Sequence, residues 1–254
     1  MEDSRLSLRD QAEVERSSVE AQNTVLKPVD PLQIARYLAP PPTTPFALEY
    51  AFHLLGDVNG MSVLDLGCGT GSNLVPLIKR GAHTIGIDIS PDLIRLARKR
   101  MDDAHLQSAL QVGSAYDTGL PDASVDVIYC MSLIHHLEIA RVREEMQRVL
   151  VPGGRIILKE PIRFSSTYTR LRKLLPAKDE VSDYEHPLTE QELATMTAPF
   201  QVEGKRFFRL PIVPLVNMVL PSMTQSLGKT DYHLLKRYPA LERYATMVVM
   251  RLIK

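Results

Sequence analysis

The residues most able to do chemistry in this chain lie between Val63 and Asn73, in the stretch Val-Leu-Asp-Leu-Gly-Cys-Gly-Thr-Gly-Ser-Asn. Apolar, strand-forming residues lead directly into three alternating glycines. Glycine takes positive φ at little cost and has no Cβ, so a ligand can approach the backbone closely at the end of such a strand. The stretch therefore predicts a cofactor site, and a plain strand-to-helix turn is the alternative.

The spacing of these glycines indicates the kind of cofactor. A dinucleotide-binding fingerprint requires Gly-x-Gly-x-x-Gly, but Ser72 occupies the sixth position counted from Gly67. The sequence also lacks the Gly-Lys-Ser/Thr that would complete a Walker loop. Asp65 stands two residues before the first glycine, where its carboxylate would repel a diphosphate and attract an ammonium group. We therefore expect a cofactor that carries the ammonium group of an amino acid.

Three segments together resemble a known family. The Asp-x-Gly-x-Gly-x-Gly motif that begins at Asp65 resembles the first motif of class I S-adenosylmethionine-dependent methyltransferases. Pro121 to Ser132 resembles that family's fourth-strand motif, and Leu150 to Arg155 resembles the segment before its fifth strand. The resemblance covers residues 60–160 and is to the small-molecule branch, similar to the ubiquinone and menaquinone biosynthesis methyltransferases. It implies methyltransferase activity with S-adenosyl-L-methionine as cofactor.

The resemblance also implies roles for individual residues. Asp88 would accept both ribose hydroxyls of the cofactor, as the acidic residue after the second strand does in dinucleotide folds. Ser114 stands where the family often has an Asp, so adenine would be held by backbone groups of Ser114 and Ala115, with Ile89 covering one face. The full predicted cofactor site is Asp65, Gly67, Cys68, Gly69, Gly71, Asn73, Asp88, Ile89, Ser114, Ala115, Cys130 and Met131.

Histidines are the candidates for a catalytic base, which methyl transfer needs only when the acceptor is a poorly acidic hydroxyl or carbon. His135 and His136 follow the fourth strand, and His186 lies further along the chain beside Glu185. The adjacent pair could instead cap the next helix, and His186 could be a hinge contact for a lid. No set of residues at metal-ligand spacing accompanies the pair, so we expect no metal.

The methyl acceptor is less well specified by the sequence. Tyr37, Tyr168, Arg170 and Tyr184 are candidate acceptor contacts. Arg163, Arg170, Arg172 and Lys173 form either a solvated face or a clamp for a phosphate or carboxylate. The apolar segment from Leu210 to Leu220 contains prolines and forms either core or an irregular roof over an acceptor pocket.

Composition limits the function classes. The chain has 254 residues, and its 30 Lys and Arg balance its 30 Asp and Glu. A net charge of zero argues against steering toward nucleic acid or an anionic membrane. Cys68 and Cys130 do not suggest a disulfide framework, and no signal sequence or membrane span is evident. We expect a cytoplasmic monomer or homodimer.

The alternation of strand and helix patterns predicts an α/β fold with a doubly wound parallel sheet. The family resemblance implies a Rossmann-like, seven-stranded sheet in the order 3-2-1-4-5-7-6, with strand 7 antiparallel and with lid or cap insertions. Residues 1–55 would form a helical lid segment, and residues 56–254 a methyltransferase domain with insertions at about 161–188 and 209–240. The predicted strands are 63–66, 84–87, 110–112, 125–131, 155–159, 201–208 and 244–253.

The combined prediction is metal-independent transfer of a methyl group to oxygen or carbon of a small, largely apolar metabolite. Two alternatives remain open at this point. One is a protein of this fold that binds the cofactor but does other chemistry, such as cyclisation. The other is an RNA or protein methyltransferase, although zero net charge and the lack of a basic, aromatic stripe weigh against RNA.

Overall fold

The computed structural model describes residues 8–165, 186–211 and 224–254. Several residues that the sequence suggested as acceptor contacts lie outside these ranges: Tyr168, Arg170, Arg172, Lys173 and Tyr184. Most of the apolar segment from Leu210 to Leu220 lies outside them as well.

The described residues form one seven-stranded sheet in the order β3-β2-β1-β4-β5-β7-β6. The neighbouring pairs among β1 to β5 are parallel, whereas β7 is antiparallel to both β5 and β6. The predicted fold class and strand order are therefore confirmed. The strands are β1 (Ser62–Leu66), β2 (His83–Asp88), β3 (Ala109–Val112), β4 (Val125–Met131), β5 (Leu150–Pro161), β6 (Gln201–Phe208) and β7 (Met247–Ile253).

Helices cover both faces of this sheet because successive strand residues point to opposite sides. Val63, Val127 and Tyr129 pack with side chains of α2 and α3 on one face. Leu64, Ile128 and Ile156 pack with side chains of α6 and α7 on the other. None of the described helices is both long enough and apolar enough to cross a membrane. The helices are α1 (Leu8–Asn23), α2 (Pro31–Leu38), α3 (Ala47–Leu55), α4 (Leu74–Lys79), α5 (Pro91–Asp103), α6 (Ile139–Val149), α7 (Glu190–Thr197) and α8 (Thr224–Arg237).

The structure differs from the sequence prediction at the ends of two strands. Strand β5 begins at Leu150, before the Pro-Gly-Gly that was expected to separate helix from strand. The Gly153 amide donates to the Lys254 carbonyl (3.2 Å) and the Lys254 amide to the Gly154 carbonyl (3.0 Å), so pairing with the end of the chain lengthens the ladder. Strand β7 begins at Met247 rather than at 244, because Pro239–Tyr244 forms a 3₁₀ helix.

Helix α8 was not predicted. It lies within the segment 209–240 that was expected to be a cap insertion. Its Asp231 is buried and accepts hydrogen bonds from the amides of Arg209 and Leu210, both at 2.8 Å. These hydrogen bonds join the helix to the end of β6, and no local sequence pattern predicts them.

Candidate cofactor and acceptor site

Asp65 lies on β1, one of the central strands of the sheet. It is only 1% exposed, and neither carboxylate oxygen has a hydrogen-bond partner among the described residues. Tyr129, which pairs with Asp65 in register on β4, also has a buried hydroxyl with no hydrogen-bond partner among the described residues. Burial raises the pKa of Asp65 to about 8, and the nearby carboxylate of Asp88 contributes to the shift. A ligand that brings an ammonium group would supply the missing partner.

The glycine loop follows β1 and is anchored to the end of β2. The amides of Gly67 and Cys68 both donate to the Ile87 carbonyl, at 2.8 and 3.0 Å. Gly69 has a φ of +52°, and a Cβ placed there would have no atom within 4 Å. The described residues therefore leave space at Gly69, as close approach of a ligand to this backbone would require.

Asp88 ends β2 and holds the loop in place. One of its carboxylate oxygens accepts from the Gly69 amide (2.8 Å) and the other from the Ser90 amide (3.0 Å). Burial raises the pKa of Asp88, and these two hydrogen bonds oppose that rise. Each carboxylate oxygen retains a second lone pair, so the group can still accept hydroxyl donors. The sequence predicted the ribose role but did not indicate that Asp88 also orients the loop.

A narrow cleft runs from the loop to the ends of β2 and β3. It brings together five of the predicted cofactor residues: Gly67, Asp88, Ile89, Ser114 and Ala115. Helix α1 closes it with Arg9, Asp10 and Glu13, and Glu13 approaches His136 Nδ1 at 3.4 Å. The volume of the cleft is about 30 Å³, well below the roughly 300–1,000 Å³ of small-molecule sites. In this arrangement α1 leaves little room in the cleft for a molecule of nucleoside size.

The remaining predicted cofactor residues lie around this cleft in different environments. Cys68 is buried in an apolar cluster with Leu74 and Ile94. Cys130 is fully buried in the core, whereas Met131 at the end of β4 is half-buried. Gly71 has a φ of +74°, and a Cβ there would lie 3.2 Å from the Ala97 side chain. Asn73 immediately precedes α4 and makes no side-chain capping bond.

His135 forms a buried pair with Glu160. Its Nδ1 lies 2.8 Å from one Glu160 carboxylate oxygen. The other oxygen accepts from the Leu133 and Ile134 amides, each at 2.9 Å. Glu160 is fully buried at the end of β5. Because the carboxylate accepts from Nδ1–H, the neutral His135 ring has its lone pair on Nε2.

The other catalytic and acceptor candidates lie in different places. The His136 ring is 4.0 Å from that of His135, and His136 lines the cleft under α1. His186 Nε2 contacts Glu192 of α7 at 2.9 Å, beside the capping box that starts this helix. Tyr37 is buried and stacks on Phe52 at 4.7 Å, which gives it a packing contact on α2.

A second, larger cavity lies where β5 ends and β7 begins. Its volume is about 350 Å³. Phe46, Phe208 and Met247 are among its apolar lining residues, and Lys159 and Arg209 are its cations. Sequence reasoning missed both cations and Glu160. A signal was present, because Lys159-Glu160 ends an otherwise apolar buried strand, and ligands bind beyond the carboxyl ends of such strands.

Within the described residues, no group of three or more His, Cys, Asp or Glu side chains is arranged to hold a metal ion.

Comparison with known proteins agrees with this geometry. The family model described as "Methyltransferase domain" matches residues 64–158. Demethylmenaquinone methyltransferase of Tropheryma whipplei is 35% identical over 132 residues, covering 50% of this chain and 54% of that protein. Ubiquinone biosynthesis O-methyltransferase of Xanthomonas oryzae is 31% identical over 116 residues, covering 45% and 48%. The chain thus spans about half the length of these curated relatives.

Solved structures extend the likeness over more of the chain, at the level of the fold. Geranyl diphosphate C-methyltransferase from Streptomyces coelicolor, solved with Mg²⁺, geranyl diphosphate and S-adenosyl-L-homocysteine, aligns over 98% of this chain and 99% of its own. The TM-score is 0.65 at 14% identity. The [4+2]-cyclase SpnF aligns over 80% of each chain, with a TM-score of 0.57 and 17% identity.

The matched region, the strand order and the glycine loop together define the class. Residues 64–158 match a methyltransferase domain, and with the strand order they are similar to the class I S-adenosylmethionine-dependent methyltransferases, the class whose cofactor is S-adenosyl-L-methionine.

Gly69→Ala and Gly60→Ala form a matched pair of variants. Both glycines have positive φ, +52° and +72°, and a Cβ at either would meet nothing within 4 Å. We expect both variants to lose a similar stability, about 1 kcal/mol. Only Gly69→Ala should weaken binding of S-adenosylhomocysteine, by about tenfold or more. Thermal denaturation and calorimetry measure the two effects. Equal affinity in the two variants would remove Gly69 from the cofactor site.

The raised pKa of Asp65, about 8, predicts pH-dependent cofactor binding. The ligand's ammonium group favours the ionised carboxylate, so binding below this pKa must release a proton. Affinity for S-adenosylhomocysteine should therefore rise by about tenfold per unit between about pH 6 and pH 8. Calorimetry in buffers of different ionisation enthalpy measures the released proton. Binding without proton release at neutral pH would contradict the assignment.

Asp65→Asn provides the control and a stability test. The variant should lose most of its affinity for S-adenosylhomocysteine. The remaining affinity should not depend on pH between about pH 6 and pH 8. The folded pKa of Asp65, about 8, exceeds the unfolded value of 3.8. Its contribution to the free energy of unfolding therefore falls as pH rises from about 4 to about 8. Thermal denaturation should show this fall in the original protein and a smaller one in Asp65→Asn.

Glu160→Gln should change the tautomer of His135. The amide oxygen of the new side chain is expected to accept from the two backbone amides, which leaves its NH₂ group facing Nδ1. Nδ1 must then be the acceptor and Nε2 the protonated nitrogen. Long-range ¹H–¹⁵N NMR of the imidazole ring distinguishes the two forms. Glu145→Gln, another buried carboxylate bonded to a backbone amide, should leave the His135 spectrum unchanged.

Proposed function

We propose that this protein transfers a methyl group from S-adenosylmethionine to oxygen or carbon of a small, largely apolar metabolite, without a metal ion. The observation that carries the proposal is Asp65, a buried carboxylate with no partner among the described residues. It precedes a bare glycine backbone and the oriented carboxylate of Asp88, all at one edge of the sheet. This set suits a ligand that joins an ammonium group to the hydroxyl donors of a ribose.

The residues at this edge suit the cofactor. When bound, S-adenosylmethionine supplies an electrophilic methyl group on a sulfonium. Asp65 would bind its ammonium group, and Asp88 would accept its ribose hydroxyls. Backbone groups of Ser114 and Ala115 would hold adenine, with Ile89 against its face. The chain's contribution to the reaction is then position and exclusion of water.

His135 is the proposed base for an acceptor that must lose a proton. Glu160 holds Nδ1 and thereby fixes the ring orientation and the tautomer. This is the arrangement in which an imidazole accepts a proton at Nε2 while a buried carboxylate stabilises the resulting charge. His136, against Glu13 of α1, is proposed to help close the cleft. His186 is exposed and bonded to Glu192, so we assign it a structural contact.

The cavity at the end of β5 supports a small acceptor. A volume of about 350 Å³ falls in the range of small-molecule sites, and aromatic and aliphatic side chains dominate its lining. The names of the curated relatives, which refer to demethylmenaquinone and to ubiquinone biosynthesis, favour a quinone-like or secondary-metabolite acceptor.

We further propose that residues 1–55 act as a helical lid on a methyltransferase domain formed by residues 56–254. Helix α1 already covers the cofactor cleft, which is what a lid requires. The two cysteines of the chain are buried and unpaired, which suits a reducing cytoplasm.

Turnover tests this function directly. The protein is incubated with S-adenosylmethionine and a panel of small apolar phenols, hydroquinones and aromatic acids, with and without a chelator. We expect S-adenosylhomocysteine and a methylated product in equal amounts, unaffected by the chelator. Asp65→Asn should abolish both. Failure to bind S-adenosylmethionine would overturn the proposal, whereas tight binding with no release of S-adenosylhomocysteine would favour non-methylating chemistry such as cyclisation.

A further inference from the structure

The cavity at the end of β5 combines an apolar wall with one half-buried cation. Its lining includes Phe46, Leu48, Phe208 and Met247, together with Lys159. Lys159 pairs in register with Met131, the last residue of β4. The cavity therefore opens at the carboxyl edge of β4 and β5, where the fold places its ligands.

A hydrogen bond holds the Lys159 ammonium at this edge. Its Nζ donates to Ser132 Oγ at 2.7 Å, and the Ser132 amide donates to the Lys159 carbonyl, also at 2.7 Å. Ser132 has a φ of +59°, which a non-glycine residue adopts only when its surroundings require it. The turn after β4 is thus shaped around Lys159.

No carboxylate in the described part of the chain neutralises this ammonium within ion-pair distance. Two acids next to Lys159 in sequence or in the cavity lining, Glu160 and Asp231, have other partners. Glu160 binds His135 and the amides of Leu133 and Ile134. Asp231, which also lines the cavity, accepts from two backbone amides at 2.8 Å.

A second cation lines the same cavity. Arg209 follows β6, has a φ of +61°, and forms no side-chain ion pair with any described residue. Burial lowers the pKa of Lys159; Glu160 opposes this effect and the charge of Arg209 adds to it. Asp231 lines the same cavity and interacts electrostatically with Arg209. Neither cation is held in an ion pair with a described carboxylate, so an anion that enters the cavity gains favourable charge interactions.

We propose that the methyl acceptor is an apolar molecule with a carboxylate group, and that Lys159, assisted by Arg209, binds this carboxylate. The inference rests on the proposed function, since it assigns the acceptor of that site. The apolar body of the acceptor lies against Phe46, Phe208 and Met247. The carboxylate accepts from Lys159 Nζ at the end of β4 and fixes which acceptor atom faces the cofactor.

A pair of isosteric probes tests this assignment. 2-Naphthoate and 2-naphthamide have the same shape, and only the first is an anion at neutral pH. Calorimetry with the full chain saturated with S-adenosylhomocysteine should show about tenfold tighter binding of naphthoate. That preference should decrease as salt is added, because it arises from charge.

Variants locate the source of the preference. In Lys159→Met we expect the two probes to bind within about twofold of each other, and Lys159→Arg should restore most of the preference. Arg209→Gln, at an exposed position, should reduce it without a packing defect. Lys99→Met is the control, because Lys99 is exposed on α5 and pairs with Asp103.

Each other outcome overturns the inference. Equal binding of the two probes by the original protein would contradict it, and so would the absence of binding of either probe at millimolar concentration. A preference for naphthoate that persists in both Lys159→Met and Arg209→Gln would also contradict it. Failure of the proposed function gives a different result, namely loss of S-adenosylhomocysteine binding or of turnover. The preference for naphthoate over naphthamide can then still be measured in the absence of S-adenosylhomocysteine.

Discussion

A buried carboxylate among the central parallel strands of the sheet is the constraint around which this site is organised. Asp65 is surrounded by β-strand neighbours and reaches no donor among the described residues. An unpaired buried charge is costly, so the protein holds a proton there, as the pKa of about 8 indicates. The packing of β1 between β2 and β4 imposes this state, and a cationic ligand relieves it. Cofactor affinity and fold stability are therefore linked through one group.

Asp88 and Glu160 are two further buried or partly buried carboxylates that organise the site. Asp88 joins the glycine loop to the start of α5. Glu160 joins the end of β5 to the turn that carries His135. Each carboxylate accepts hydrogen bonds from backbone amides and has a second role as well. For Asp88 this is the proposed binding of ribose, and for Glu160 it is the contact with His135. Hydrogen bonds of this kind keep catalytic and binding groups in one geometry, which reduces the entropy lost when ligands bind.

Helix α1 covers the cleft beside Asp88, so binding of a ligand there depends on movement of this helix. Glu13 and its neighbours leave a space of about 30 Å³ beside Asp88, so the proposed cofactor site requires α1 to shift. The helix has many polar residues and contacts the domain mainly through α5. Its displacement exposes little of the core, which suits a segment that opens and closes during a reaction cycle.

The sequence by itself determined the sheet, the cofactor loop and the two acids that frame it. Apolar periodicity located β1 and β4, and Asp65 and Asp88 converge because the carboxyl ends of parallel strands meet at one edge. Local pattern could not show that α1 covers the cleft, that Glu160 orients His135, or that Lys159 and Arg209 share a cavity. Nor could it show that the end of the chain extends β5 or that α8 packs at the end of β6. These features depend on side-chain direction and on contacts between segments far apart in the chain, which only the tertiary structure decides.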